Sequence, residues 1–308
     1  RMKLTIQTPP LEFLIVTPMN QEMQMARIWI DEHCDPEIRL KTDLGRMSED
    51  ENVQLQVSTF CNVRIDQVDK LAKTVARLIK PQWRVMLDIA CCELESVPAS
   101  VWELASLDAL QLSSNKLTTI SPAIAKLAKL KHICIRSNLF EDFPVAVCQL
   151  EQLEQLFASH CRLSVLPSYF ASLRNLLELD LACNEFEEFP VVICEIRNLR
   201  NLQVHNNKLS SLPPSFADLR ELKELNISTN RFKEFPRVVC ELPNLWRLAA
   251  RSNQLSELPL AITKLVLLRY LHLDINQFAQ FPLFLGDLPR LWVFRFTGRF
   301  VQSNHFHF

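Results

Sequence analysis

Glycine is almost missing from this chain, with three in 308 residues. A fold that turns on flexible, left-handed glycine loops is therefore excluded, and the turns must be built from side chains. Charge imbalance is missing too. The 34 basic and 35 acidic residues leave a net charge of −1, so no overall field draws the chain to nucleic acid or to an anionic membrane. No apolar run approaches the roughly 18 residues that cross a bilayer, and the first residues lack the apolar core of a secretion signal. No glycine-rich phosphate loop, C-x-x-C pair or H-E-x-x-H motif occurs. These absences speak against a nucleotide-binding fold, a zinc site of ordinary spacing, and an enzyme; neither a cofactor nor a metal ion is expected.

What is abundant is order at a fixed distance. Leucine recurs every 23 residues at Leu107, Leu130, Leu153, Leu176, Leu199, Leu222, Leu245 and Leu268, and the period continues to Leu291. The unit is plainest from Leu176 to Ile196, where Leu179 and Leu181 alternate like a strand before Asn184, Phe186, Phe189 and Pro190 change the spacing. Asparagine holds one place at 115, 138, 184, 207, 230, 253 and 276, where its amide can serve buried backbone at the bend leaving each strand. Cys92 and Cys161 replace it in two coils. Proline stands at 98, 144, 167, 190, 213, 236, 259 and 282; lacking an N–H, it suits the side of each coil away from the sheet. A slower rhythm of 46 residues places Phe140/Phe143, Phe186/Phe189, Phe232/Phe235 and Phe278/Phe281 in alternate coils and leucines in the coils between. Large and small layers then alternate, by duplication of a two-coil unit, by packing advantage, or by both.

This pattern resembles the 23-residue leucine-rich repeats of intracellular scaffolds of the Ras-suppressor-like and Scribble-like kind, over nine coils from about Arg84 to Leu288. The resemblance implies an α/β solenoid, a horseshoe with a parallel concave sheet that binds another macromolecule and has no chemistry of its own. Some bacterial effectors look similar, but the ubiquitin-ligase segment that some of them carry after the repeats is not carried over. The expected organisation is a small α+β domain over 1–65, a capping helix over 66–82, repeats over 83–297 and a tail over 298–308. In the first of these, residues 11–16 and the alternations Ile38/Leu40 and Val53/Leu55/Val57 read as strands. Pro18, Met19, Met23, Ala26 and Ile30 read as a helix. Asp66 caps the next helix and Pro81 stops it. Leu291, Phe294 and Phe296 read as a further strand.

The ten cysteines read as reduced. Cys148, Cys194 and Cys240 would lie two strand spacings apart, about 10 Å, beyond the reach of a disulfide. With the missing export signal, this predicts a cytoplasmic protein.

Residues between the strand leucines face the concave side. Two groups there stand out as partner-binding candidates: Phe157 with His132, Arg136 and His160, and, near the C-terminal end, Arg247, Arg251, Tyr270, His272 and Arg295. His205 lies between them. Arginine and aromatic side chains dominate binding hot spots, although Phe157 could equally cover a groove between strands, and part of the arginine patch could pair with Asp274. The surface suits a protein or peptide rather than a phosphate backbone, which calls for a continuous basic stripe. The expected function is a monomeric scaffold or adaptor holding a protein partner. The alternative is that the repeats target an active or regulatory N-terminal domain, as in a bacterial effector, with His33-Cys34-Asp35 the residues of interest.

Overall fold

The computed structural model describes residues 25–30, 52–57, 65–78 and 85–297. They form one twelve-stranded, wholly parallel sheet whose strands stack in chain order. The strands are β1 (Met25–Ile30), β2 (Asn52–Val57), β3 (Val85–Asp88), β4 (Leu107–Gln111), β5 (His132–Cys134), β6 (Gln155–Phe157), β7 (Glu178–Asp180), β8 (Asn201–Gln203), β9 (Glu224–Asn226), β10 (Arg247–Ala249), β11 (Tyr270–His272) and β12 (Val293–Arg295). From β5 to β12 each residue faces the one 23 positions later, as in Cys134, Phe157, Asp180 and Gln203. Each strand after β2 leads to the next through one coil, with a five-residue 3-10 turn on the far side from β3 to β12.

Three local features close every coil. Proline precedes the 3-10 turn in eight of nine cases, and Ser121 takes its place once, its hydroxyl accepting the Ala123 N–H at 3.2 Å. The asparagines form the expected ladder. Asn138 accepts the Leu117 N–H at 3.0 Å and donates to Leu112 O, Ile135 O and Arg136 O at 2.9, 2.9 and 3.2 Å. One buried amide thus serves two adjacent coils. Cys161 keeps only part of this: its thiol reaches Ile135 O and Ser159 O at 3.6 and 3.7 Å and offers no oxygen to the Phe140 N–H. The third feature has no counterpart in the sequence pattern. One residue per coil, just before the ladder position, has positive φ without being glycine, as at Ser114, Ser137, His160, Cys183, Asn206, Thr229, Ser252 and Ile275, with φ of 52 to 56°.

The core is filled by complementary volumes within each coil. Phe140 and Phe143 share theirs with Val147, whereas Leu163 and Leu166 share theirs with Phe170. Phe143 meets Phe170 edge-on at 5.1 Å, and Phe189 meets Phe216 in the same way at 5.2 Å. The 46-residue rhythm is therefore an exchange of large and small residues between two core positions, which keeps successive layers interlocked.

At the N-terminal side the helix α1 (Ile65–Leu78) packs on the 3-10 turn Ala99–Glu103, with Val68 and Ala72 buried and the Ser100 hydroxyl donating to Asp69 O at 3.3 Å. The reading of Met19–Ile30 as a helix is corrected over Met25–Ile30, which is strand β1. Ala26, Ile28 and Ile30 also alternate with period two, and pairing with β2 decides between the two patterns. Val53, Leu55 and Val57 lie on a strand as expected, but β1 and β2 continue the repeat sheet in parallel. Residues 11–16, Ile38, Leu40, His33-Cys34-Asp35 and the tail from 298 fall outside the described residues.

Candidate functional site: the concave sheet

Strand alternation sends the leucines inward and leaves three parallel rows on the concave side. The first runs His132, Gln155, Glu178, Asn201, Glu224, Arg247 and Tyr270. The second runs from Asp88 through Phe157 to Arg295. The third starts two residues later in each coil and includes Arg136, His205 and Arg251.

Around β5 to β8 the candidates make separate polar contacts with their neighbours. His132 Nδ1 lies 2.8 Å from Gln155 Oε1, and its Nε2 is 3.8 Å from Asp108 Oδ2. Arg136 Nε lies 4.0 Å from Asp180 Oδ2. Because Asp180 stands two strands further along, the arginine side chain spans β6. Beneath this span Ser159 is 1% exposed and its hydroxyl has no hydrogen-bond partner. Asp180 is also buried, at 2%, with Oδ1 accepting the Ala182 N–H at 3.0 Å. Phe157 is half-buried between Cys134 and Asp180 rather than freely exposed, because neighbouring side chains in its row shield the ring edges. His160 is exposed on its left-handed turn.

His205 pairs with Asn226, whose Nδ2 lies 3.1 Å from the histidine Nδ1. The Asn226 Oδ1 is committed to the Ser228 N–H at 3.1 Å, so its amide donates and Nδ1 must accept. This requires a neutral imidazole with the proton on Nε2. Burial holds the His205 pKa below its ordinary value; Asp180 opposes this, and His160 and Arg136 reinforce it. Glu178 is raised, chiefly by burial. Charged groups here are thus already partly stripped of water.

The second group occupies β10 to β12. Arg247 lies 3.6 Å from Glu224, and Arg251 Nε lies 2.7 Å from Asp274 Oδ2. Tyr270 and His272 are half-buried, and Arg295 is exposed. Sequence reasoning missed two residues beside this group. Trp246 packs edge-on against Tyr270 at 5.5 Å, and Trp292, 76% exposed, lies 6.4 Å from the other side of Tyr270. The 46-residue spacing of these tryptophans was the available signal; it went unread because the residue just before each strand was assigned to no face.

Cys134, the thiol in the second row, is pushed up to about 11 by burial, so it is not a nucleophile near neutral pH. Among the described residues no group of three or more His, Cys, Asp or Glu side chains is gathered to hold a metal ion.

A uniform parallel sheet, one 3-10 turn per coil and an asparagine ladder define a class, the leucine-rich repeat solenoids, and the comparisons agree. The leucine rich repeat family matches residues 85–140 and 197–255. A leucine-rich repeat protein of Leptospira interrogans superposes with a TM-score of 0.67 at 22% identity, covering 90% of this chain and 79% of that one. The plant peptide hormone receptor RGFR1, solved in complex with RGF2, gives 0.60 at 22% identity over 84% of this chain and 41% of the receptor. An internalin of Listeria monocytogenes gives 0.60 at 18% identity, over 82% and 75%. Among curated proteins none matches the sequence. The chain is a leucine-rich repeat protein.

Proposed function

We propose that the protein is a scaffold or adaptor that holds a protein or peptide partner on the concave face of its sheet and performs no chemistry on it. The observation that carries this reading is the composition of that face: Phe157, Tyr270, His205 and His272 stand half-buried, partly stripped of water before any partner arrives, in rows that also carry the exposed Arg247, Arg251 and Arg295. Ten repeat strands at about 4.8 Å span roughly 45 Å, enough to supply the about 800 Å² that a specific interface needs from each partner. That the similar plant peptide hormone receptor RGFR1 was solved in complex with RGF2 supports a protein or peptide partner. The eight described cysteines are all free, which suits a reducing compartment such as the cytoplasm.

The test is capture of partners by the wild-type protein and by three variants: Phe157→Asp, Arg251→Glu, and Tyr169→Asp on the opposite side, where Tyr169 is 71% exposed in a 3-10 turn. The first two should each weaken capture by about tenfold or more, as loss of a hot-spot side chain does, and the third should not. Intact capture by both concave variants, with unchanged circular dichroism, contradicts the reading.

A further inference from the structure

The concave face is electrically divided along its length. Glu178, Asp180 and Glu224 lie on β7 and β9, whereas β10 to β12 and the bends that follow carry Arg247, Arg251 and Arg295 against the single carboxylate of Asp274. The three arginines are not equivalent. Arg251 is closely paired with Asp274 at 2.7 Å and Arg247 loosely with Glu224 at 3.6 Å. Arg295 is exposed and has no ion pair among the described residues. The local potential is positive. After burial, the strongest influences lowering the His272 pKa are Arg295 and Arg247, and they outweigh Asp274. The other oxygen of Asp274, Oδ1, is shielded from solvent and has no hydrogen-bond partner, so the aspartate's charge is turned to Arg251 and leaves Arg295 uncompensated. Along the upstream edge Trp246, Tyr270 and Trp292 form an aromatic ridge.

From this arrangement we propose that the wall formed by β10 to β12 is the docking site for an acidic, extended segment of a partner protein. Two carboxylates of that segment meet Arg247 and Arg295, and an apolar side chain rests on the tryptophan ridge. The proposal rests on the concave-face reading above and names the chemistry of the partner there. Charge complementarity selects the occupant: exposed arginine forks favour carboxylates in bidentate contact, and a basic segment would meet like charge. The geometry also sets a spacing. Arg247 and Arg295 stand two strands apart, about 9.6 Å, and two residues apart along the strands, about 6.6 Å, so roughly 12 Å separates their positions; an extended chain rises about 3.3 Å per residue, and the two carboxylates should lie about three to four residues apart. An exposed tryptophan between flanking arginines supplies the apolar anchor that charge alone would lack.

The experiment is selection of random dodecapeptides displayed on phage against the full chain, followed by affinity measurement of the best synthetic peptide with Arg295→Glu, Arg295→Gln, Trp292→Ala, Phe157→Asp and Tyr169→Asp variants. The expected result is enrichment of Asp and Glu about three to four positions apart beside an aromatic or aliphatic residue. Affinity should fall with added salt and drop about tenfold or more in Arg295→Glu, the loss of one charge-assisted contact. Arg295→Gln should fall less, and Tyr169→Asp, on the opposite turns, should leave this peptide bound. Peptides without acidic bias, or acidic peptides indifferent to both Arg295 variants, overturn the proposal. If the selected peptides depend on Phe157 and not on Arg295, this site is wrong while concave binding stands. If no peptide is selected, both fail.

Discussion

Cys161→Asn should make the protein more stable, and the ladder gives the amount. At the other ladder positions an asparagine carbonyl accepts the N–H 21 residues earlier, as Asn184 does for Leu163 at 3.1 Å. Cys161 cannot do this for Phe140, and its two thiol contacts are long, at 3.6 and 3.7 Å. Asparagine at 161 would accept from Phe140 and donate to Ile135 O and Ala158 O, and one recovered buried backbone hydrogen bond is worth about 1 kcal/mol net. The reverse change, Asn184→Ala, should cost more. It strips the Leu163 N–H and Ala158 O of the partners they have at 3.1 and 2.9 Å, whereas Leu181 O retains Asn207 at 3.0 Å. Two orphaned buried groups at about 1–3 kcal/mol each put the loss at about 2–6 kcal/mol. Urea unfolding followed by circular dichroism, with the slope compared between variants, measures both. A Cys161→Asn variant that is no more stable than wild type, or an Asn184→Ala variant within about 0.5 kcal/mol of it, the range of ordinary surface changes, refutes the claim that the ladder ties the coils together.

Other consequences are as direct. Ile275 is a branched residue at φ 56° and 53% exposed, so Ile275→Gly should relieve about 1 kcal/mol of backbone strain, read as a raised urea midpoint. Phe170→Ala removes a fully buried ring and the edge contact with Phe143 and should cost about 3–5 kcal/mol by the same measurement. His205 and His272 both have depressed folded-state pKa values. The unfolded chain binds their protons first, so their contribution is complete above about pH 6.5 and is lost as pH falls from there towards the folded values. The stability difference between pH 7.5 and 6 should shrink in a His205→Gln, His272→Gln double variant. Among the described thiols Cys91 is exposed, while Cys134, Cys148 and Cys240 are buried with pKa values pushed up to about 11; an aromatic disulfide reagent should label Cys91 rapidly and those three only on unfolding.

The repeat architecture was legible because it is periodic. A 23-residue spacing of leucine, asparagine and proline specifies strand, bend and turn at once, and each identification supports the other two. The N-terminal strands were not legible to the same degree. Met25–Ile30 carries both a helical and an alternating pattern, and only a neighbouring strand resolves the choice. The concave rows could be enumerated from alternation, but their exposure could not. Ser159 and Asp180 stand in outward rows and are nevertheless buried, and such cover, like the reach of Arg136 to Asp180, depends on side-chain conformation rather than spacing. The left-handed residues escaped for a related reason. With so little glycine, nothing in the sequence marks a position such as Ile275 or Thr229 as having positive φ.

The central claim is that the concave wall is the surface that another molecule occupies. Hydroxyl-radical footprinting of the protein with a selected or captured ligand measures side-chain access across both faces in one experiment. The account predicts protection of Tyr270, Trp246 and Trp292, or of Phe157, with Tyr169 and Leu260 on the opposite turns unchanged. Protection confined to Tyr169, Leu260 and their neighbours, with the concave aromatics still reactive, would contradict it.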